Sequence, residues 1–249
     1  MVAERSHPVA QAALEGGDHE TVLRVTDELL AIHPGDDAAH ALRARSLMAL
    51  GRLEEAERHA ADAVRLDPDE IGYRELLAEV RSRGGAHADA AFEYARLAAG
   101  DPRQTDWTVG EARERVSAAE PSAGAQAARR ALRLDPDNAE AQLSLARALV
   151  AQRDRSGAVD AARRAAQLLP GDVRARETLA DAQTLAGQHR AAFEGYRALV
   201  GQLHDADRRR VLDAAAAIYR RRGGRLARLI AAWPGLFAFA LQRGWASVR

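Results

Sequence analysis

The segment from Leu50 to Pro68 reads LGRLEEAERHAADAVRLDP, with Gly51 at its head, Ala56 and Ala63 within it and Leu66-Asp67-Pro68 closing it. The closing proline is not alone: Pro34, Pro68, Pro102, Pro136 and Pro170 are spaced 34 residues apart, in a chain of 249 residues with eight prolines in all. Five prolines in one register are an internal repeat. Other positions keep the same phase. Seventeen residues ahead of successive prolines stand Gly17, Gly51 and Gly85, and Gly187 stands seventeen ahead of His204, where a sixth proline would fall due. Twelve ahead come Ala56, Ala90, Ala158 and Ala192, and five ahead Ala63, Ala131 and Ala165. Small residues at a fixed phase mark places where two helices touch, and a proline is tolerated where a helix has just ended.

Composition points the same way. Alanine accounts for 58 residues, about half of the 47% hydrophobic fraction, and only 11 residues are aromatic. Such a chain favours helix and fills its core with small side chains. All 36 basic residues are arginine, balanced by 36 acids, and there is no lysine and no cysteine. These absences remove disulfides, thiolate metal sites, thiol nucleophiles, Schiff-base chemistry and the phosphate-binding lysines of kinases and phosphate-binding loops. The amino-terminal residues, with Glu4, Arg5 and Pro8, lack the apolar run of a secretory signal, and a cytoplasmic location is expected.

On these residues the sequence resembles the tetratricopeptide repeat family, whose 34-residue helix-turn-helix unit carries small residues at fixed crossings and a closing proline. Leu50–Pro68 is the nearest copy, and Ala131-Leu132-Arg133-Leu134-Asp135-Pro136 echoes its end. The family's leucine before the first small residue is kept as Leu77, Leu145 and Leu179, but Arg43 and Glu111 replace it in two repeats; its second-helix aromatic is kept as Tyr94 and Tyr196. The fourth repeat departs most, with Pro121 and Gly124 where its second helix should begin. The resemblance implies an all-α fold, a right-handed superhelical solenoid whose first helices line a concave groove. Six repeats span 1–206, the second with helices near 37–50 and 54–66, and 207–249 form an atypical terminal helix and a tail.

The tail differs in charge. Residues 207–249 hold ten arginines and two acids, a net +8, which leaves −8 for the remainder. It is also apolar, with Leu229, Ile230, Trp233, Phe237 and Phe239, yet its longest apolar run is too short for a membrane span of about 20 residues. Three roles fit it: capping the last repeat, docking a partner or a second copy of the chain, or lying on a membrane surface. Nucleic-acid binding is disfavoured, because the acidic body repels phosphate.

No catalytic constellation emerges. His19-Glu20 lacks the second histidine of a zinc-protease helix, His33 and His40 lie seven apart across a proline turn, and the eight histidines read as scattered surface residues. No enzyme activity, no metal and no cofactor are expected. Function is expected in the groove. Its central series is Gln11, Arg45, Glu79, Arg113, Arg147 and Asp181; one turn earlier stand His7, Ala41, Glu75, Val109, Leu143 and Glu177, and one turn later Leu14, Met48, Ser82, Val116, Val150 and Thr184. Arg113 and Arg147, with Val109, Leu143, Val116 and Val150 around them and Arg45 in support, would suit an apolar peptide bearing an acidic group. The function expected is that of a scaffold or adaptor binding a protein or peptide. A small-molecule sensor using the same groove, and a membrane-surface adaptor acting through the tail, are the alternatives.

Overall fold

The computed structural model describes residues 2–203 and 205–222. The tail expected to dock through Leu229, Ile230, Trp233, Phe237 and Phe239 lies outside the described residues. Those described form thirteen α-helices and no strand: α1 (Val2–Glu15), α2 (His19–Ile32), α3 (Asp37–Ala49), α4 (Leu53–Leu66), α5 (Ile71–Arg83), α6 (His87–Gly100), α7 (Thr105–Ser117), α8 (Pro121–Leu134), α9 (Ala139–Ala151), α10 (Arg155–Leu168), α11 (Val173–Leu185), α12 (His189–Val200) and α13 (Asp205–Arg222). From α3 to α11 the first helices of the repeats begin at 37, 71, 105, 139 and 173, and every second helix from 19 to 189 also begins in steps of 34. The all-α helical repeat fold expected from the sequence is the one observed.

Turn chemistry holds that register. Inside each repeat the first helix ends on a residue in the left-handed region, where a side chain crowds the backbone and glycine does not. Gly51 has φ 74° there, its N–H reaches Met48 O at 3.1 Å, and the N–H of Arg52 reaches Leu47 O at 2.9 Å, so two carbonyls at the helix end are satisfied. The same place is taken by Gly17, Gly85 and Gly187, but by Ala119 (φ 59°) and Arg153 (φ 62°) in the fourth and fifth repeats. Between repeats, Asp67 is extended, as a residue before proline must be, and its carboxylate accepts from the N–H groups of Asp69 and Glu70. Pro121, which breaks the pattern of the fourth repeat in sequence, is the first residue of α8, where its missing N–H costs nothing.

The contacts divide the chain into two units, 1–119 and 120–249. In the first, each helix from α1 to α7 packs on the next, and the first helices α1, α3 and α5 also touch side by side. In the second, α8 to α13 pack in sequence and α9 touches α11. No hairpin closes its own core. Ala44, Leu47, Ala56, Ala60 and Ala63 of the second repeat are covered by Leu76, Leu77 and Val80 of the third, and Phe193, Tyr196 and Leu199 are covered by Val211, Ala215 and Tyr219 of α13. One fully enclosed position is alanine in all six repeats: Ala10, Ala44, Ala78, Ala112, Ala146 and Ala180, all at most 1% exposed. A larger side chain meets a glycine instead: a Cβ on Gly110 would stand 2.8 Å from the Tyr94 ring.

Two stability outcomes follow. Ala56, Ala90 and Ala192 are fully buried, so leucine at any of them is expected to cost about 1–3 kcal/mol by overpacking. Ala49→Leu, on an exposed helix end, serves as the comparison; equal melting temperatures across the set would contradict the packing described. Arg153→Gly relieves a left-handed arginine and is expected to stabilise the fold by about 1 kcal/mol, read as a higher denaturation midpoint with an unchanged slope. A lower midpoint would contradict it.

Candidate functional site

In the first unit, the first helices form the walls of a pocket of about 670 Å³. His7, Pro8 and Gln11 come from α1, Ala41, Leu42 and Arg45 from α3, Tyr73 from α5, and Asp36, Asp37 and Ala38 from the start of α3. Because α1, α3 and α5 lie side by side, residues at one phase of the repeat converge, which is how Gln11 and Arg45 of the expected groove series come together. The acids here are committed. Asp36 caps α3 by accepting from the Ala39 N–H at 2.9 Å and also meets His7 Nε2 at 2.9 Å, while Asp37 accepts from the Tyr73 hydroxyl at 2.7 Å. Burial, and then the Asp37 hydrogen bond, push the Tyr73 phenol well above its usual range, so it stays a donor. Arg45, only half-exposed, has no ion pair or hydrogen bond among the described residues.

The other expected residues fare differently. Val109 and Leu143 are 8% and 2% exposed; Leu143 packs with Ala165 and Ala175. Both belong to the helix packing and not to an open wall. Val116 is half-buried, and Val150 packs beside Ala146 and Leu149. Arg147 is exposed on α9 with no ion pair among the described residues. Arg113 is already engaged: its Nε donates to Glu114 at 2.8 Å. It belongs to the first unit and Arg147 to the second, so each is taken with its own unit.

Glu114 is a polar centre of the first unit. Its side chain is 1% exposed and collects Ser82 Oγ at 2.9 Å, His87 Nδ1 at 2.8 Å and Arg113 Nε at 2.8 Å. Burial pushes its carboxyl upward, but the bonds from Arg113, His87 and Ser82 together outweigh it and hold the group below the ordinary carboxylate range. The second unit has a counterpart with the opposite outcome. Asp181, accepting from Tyr196, and Glu177, facing Arg210 at 2.9 Å, are both raised, with burial the leading cause.

One cluster was not foreseen. His40 and His59 face each other across the α3–α4 hairpin, Nδ1 to Nδ1 at 2.9 Å, and His40 is buried rather than on the surface as expected. Nineteen residues separate them, a distance at which no helical or metal-motif spacing applies. The available signal was Arg43, the residue standing where the family has leucine: its Nε lies 3.0 Å from His59 Nε2, its NH1 3.1 Å from the Leu23 carbonyl and 2.6 Å from Asp27.

Two tetratricopeptide repeat models match the sequence, over residues 13–80 and 109–173, together more than half of the chain. The chain belongs to the tetratricopeptide repeat family. Solved structures agree on the fold. A tetratricopeptide repeat protein from Parabacteroides merdae ATCC 43184 superposes with a TM-score of 0.74 at 14% identity, over 97% of this chain and 93% of its own. PilW, a type IV pilus biogenesis factor, gives 0.67 at 16% identity over 85% and 99%. The APC/C hetero-tetramer Cut9–Hcn1 gives 0.67 at 14% identity over 94% of this chain and 45% of the other. No curated protein matches the sequence. Tetratricopeptide repeats generally mediate contacts between proteins, and among the described residues no helix is long and apolar enough to cross a membrane.

Glu114 supplies a pH dependence with a definite sign. A carboxyl depressed in the folded protein contributes stability that is present above its unfolded value of 4.5 and lost as pH falls through its folded value. Glu114→Gln is therefore expected to lower stability by about 1–3 kcal/mol at neutral pH, with the gap to the parent protein narrowing below pH 4.5 in thermal melts. A gap independent of pH would show that the carboxylate charge plays no part.

Proposed function

We propose that this protein is a non-enzymatic interaction scaffold whose first-helix face takes up a peptide segment, and that the pocket of α1, α3 and α5 is the principal seat. The observation that carries this reading is the state of Arg45: a cation at the central groove phase, over the apolar surface of Pro8, Ala41, Leu42 and Tyr73, with both neighbouring acids already engaged. A guanidinium in that position is suited to a carboxylate, and the apolar wall to the residue beside it. Gln11 and His7 line the same pocket. The segment recognised is accordingly an apolar stretch bearing an acidic side chain or a carboxyl terminus. Arg147 offers a second cation on α9 of the other unit, whereas Arg113, bonded to Glu114, supports the fold.

Peptides selected for binding from a random library provide the test. They are expected to carry a carboxylate; Arg45→Ala should weaken them about tenfold, the worth of one charge-assisted hydrogen bond, and flatten the salt dependence. Unchanged affinity and salt slope in Arg45→Ala would move the site elsewhere.

A further inference from the structure

The histidine pair in the second repeat has a fixed protonation pattern. Arg43 Nε can only donate, so His59 Nε2 accepts its bond at 3.0 Å; the Pro34 carbonyl can only accept, so His40 Nε2 donates at 3.1 Å. With both rings neutral, the proton between them belongs to His59 Nδ1 and the lone pair to His40 Nδ1, 2.9 Å away. Asp62 completes the group. It lies three residues after His59 on α4, its Oδ1 accepts from Arg65, and its Oδ2 stands 4.0 Å from His40 Nδ1.

We propose that His40, His59 and Asp62 form a divalent-metal site, with zinc the fitting ion, in which the metal takes the place between the two rings and the proton there passes to His59 Nε2. The three ligand atoms already lie within 4.8 Å of one another. Ligands of a tetrahedral zinc, each about 2.0 Å from the ion, stand roughly 3.3 Å apart, so the rings spread slightly and Asp62 closes in by up to about 1.5 Å. Two features around the ligands suit metal binding. The His40 ring is oriented by its bond to the Pro34 carbonyl, which leaves Nδ1 as the ligating atom, and Asp62 is held through one oxygen while the other faces the site. The partly exposed Asp62 gives the ion a route from solvent and leaves a fourth position for water.

Arg43 opposes this state. Binding through His59 Nδ1 moves that ring's proton to Nε2, against the Arg43 N–H, so Arg43 must give up one bond and keep those to Leu23, Thr26 and Asp27. The ring changes tautomer and loses no proton. The positive charge of Arg43, with those of Arg58 and Arg65 nearby, also lowers the affinity for a cation. Arg43 thus acts as the gate of the site.

The test uses the full chain, stripped with chelator, with zinc chloride and cobalt chloride as probes. Zinc should raise the melting temperature, cobalt should give the visible absorption of a tetrahedral ion, and both signals should vanish in His59→Gln and in Asp62→Asn. Asp62→Asn, a partly exposed change, should leave the metal-free melting temperature unaltered, so its result stands even if His59→Gln folds poorly. Arg43→Met should tighten zinc on the order of tenfold. The proposal fails if neither ion has an effect, if the effects persist in Asp62→Asn, or if Arg43→Met weakens binding.

Discussion

The close crossing of helices at a methyl-sized side chain is the constraint on which this structure rests. At the phase occupied by Ala10, Ala44, Ala78, Ala112, Ala146 and Ala180, each side chain is shut from water by the helices around it. Dispersion at such a contact falls off quickly with separation, so a small side chain there is a demand of the packing. The helices are short and their intrinsic stability slight, so neighbouring repeats supply the burial that each hairpin lacks. The side-by-side arrangement of α1, α3 and α5 is a consequence of that packing, and so is the pocket they enclose.

Local backbone rules were open to sequence reading. The prolines and glycines act on their own φ and ψ, and their period placed the helix ends to within a residue or two. Pro121 and Gly124 misled only in appearance, since one starts α8 and the other is buried where a small residue belongs. Other features were hidden by composition or by distance. In a chain with 58 alanines the six-fold alanine position does not stand out. Val109 and Leu143 share a phase with His7 and Ala41 of the pocket yet are buried, Leu143 against Ala165 and Ala175. Arg113, expected in the groove beside Arg147, has its partner in the adjacent Glu114, whose buried carboxylate depends on residues 27 and 32 positions away.

The polar substitutions within the repeat have a common logic. Arg43 and Glu111 occupy a place where the family has leucine, and neither is left without a partner: Arg43 binds His59, Thr26 and two chain-distant oxygens, and Glu111 accepts from Arg115 at 3.2 Å. Buried polar groups of this kind cost stability unless every bond is made, so each fixes the positions of several neighbours. Arg74 does the same between α5 and α6, binding Glu93 at 2.8 Å with both side chains almost enclosed. In a core of small, nearly interchangeable methyl groups, these pairs distinguish one repeat from the next.

Backbone amide chemical shifts of the full-length protein, recorded with and without a selected peptide, test this account most directly. Peptide uptake by the first-helix face predicts shifts grouped on α1, α3 and the start of α5, centred on Gln11, Ala41 and Arg45, with α2 and α4 little changed. Shifts confined to the second helices, or none within residues 2–83, would contradict it.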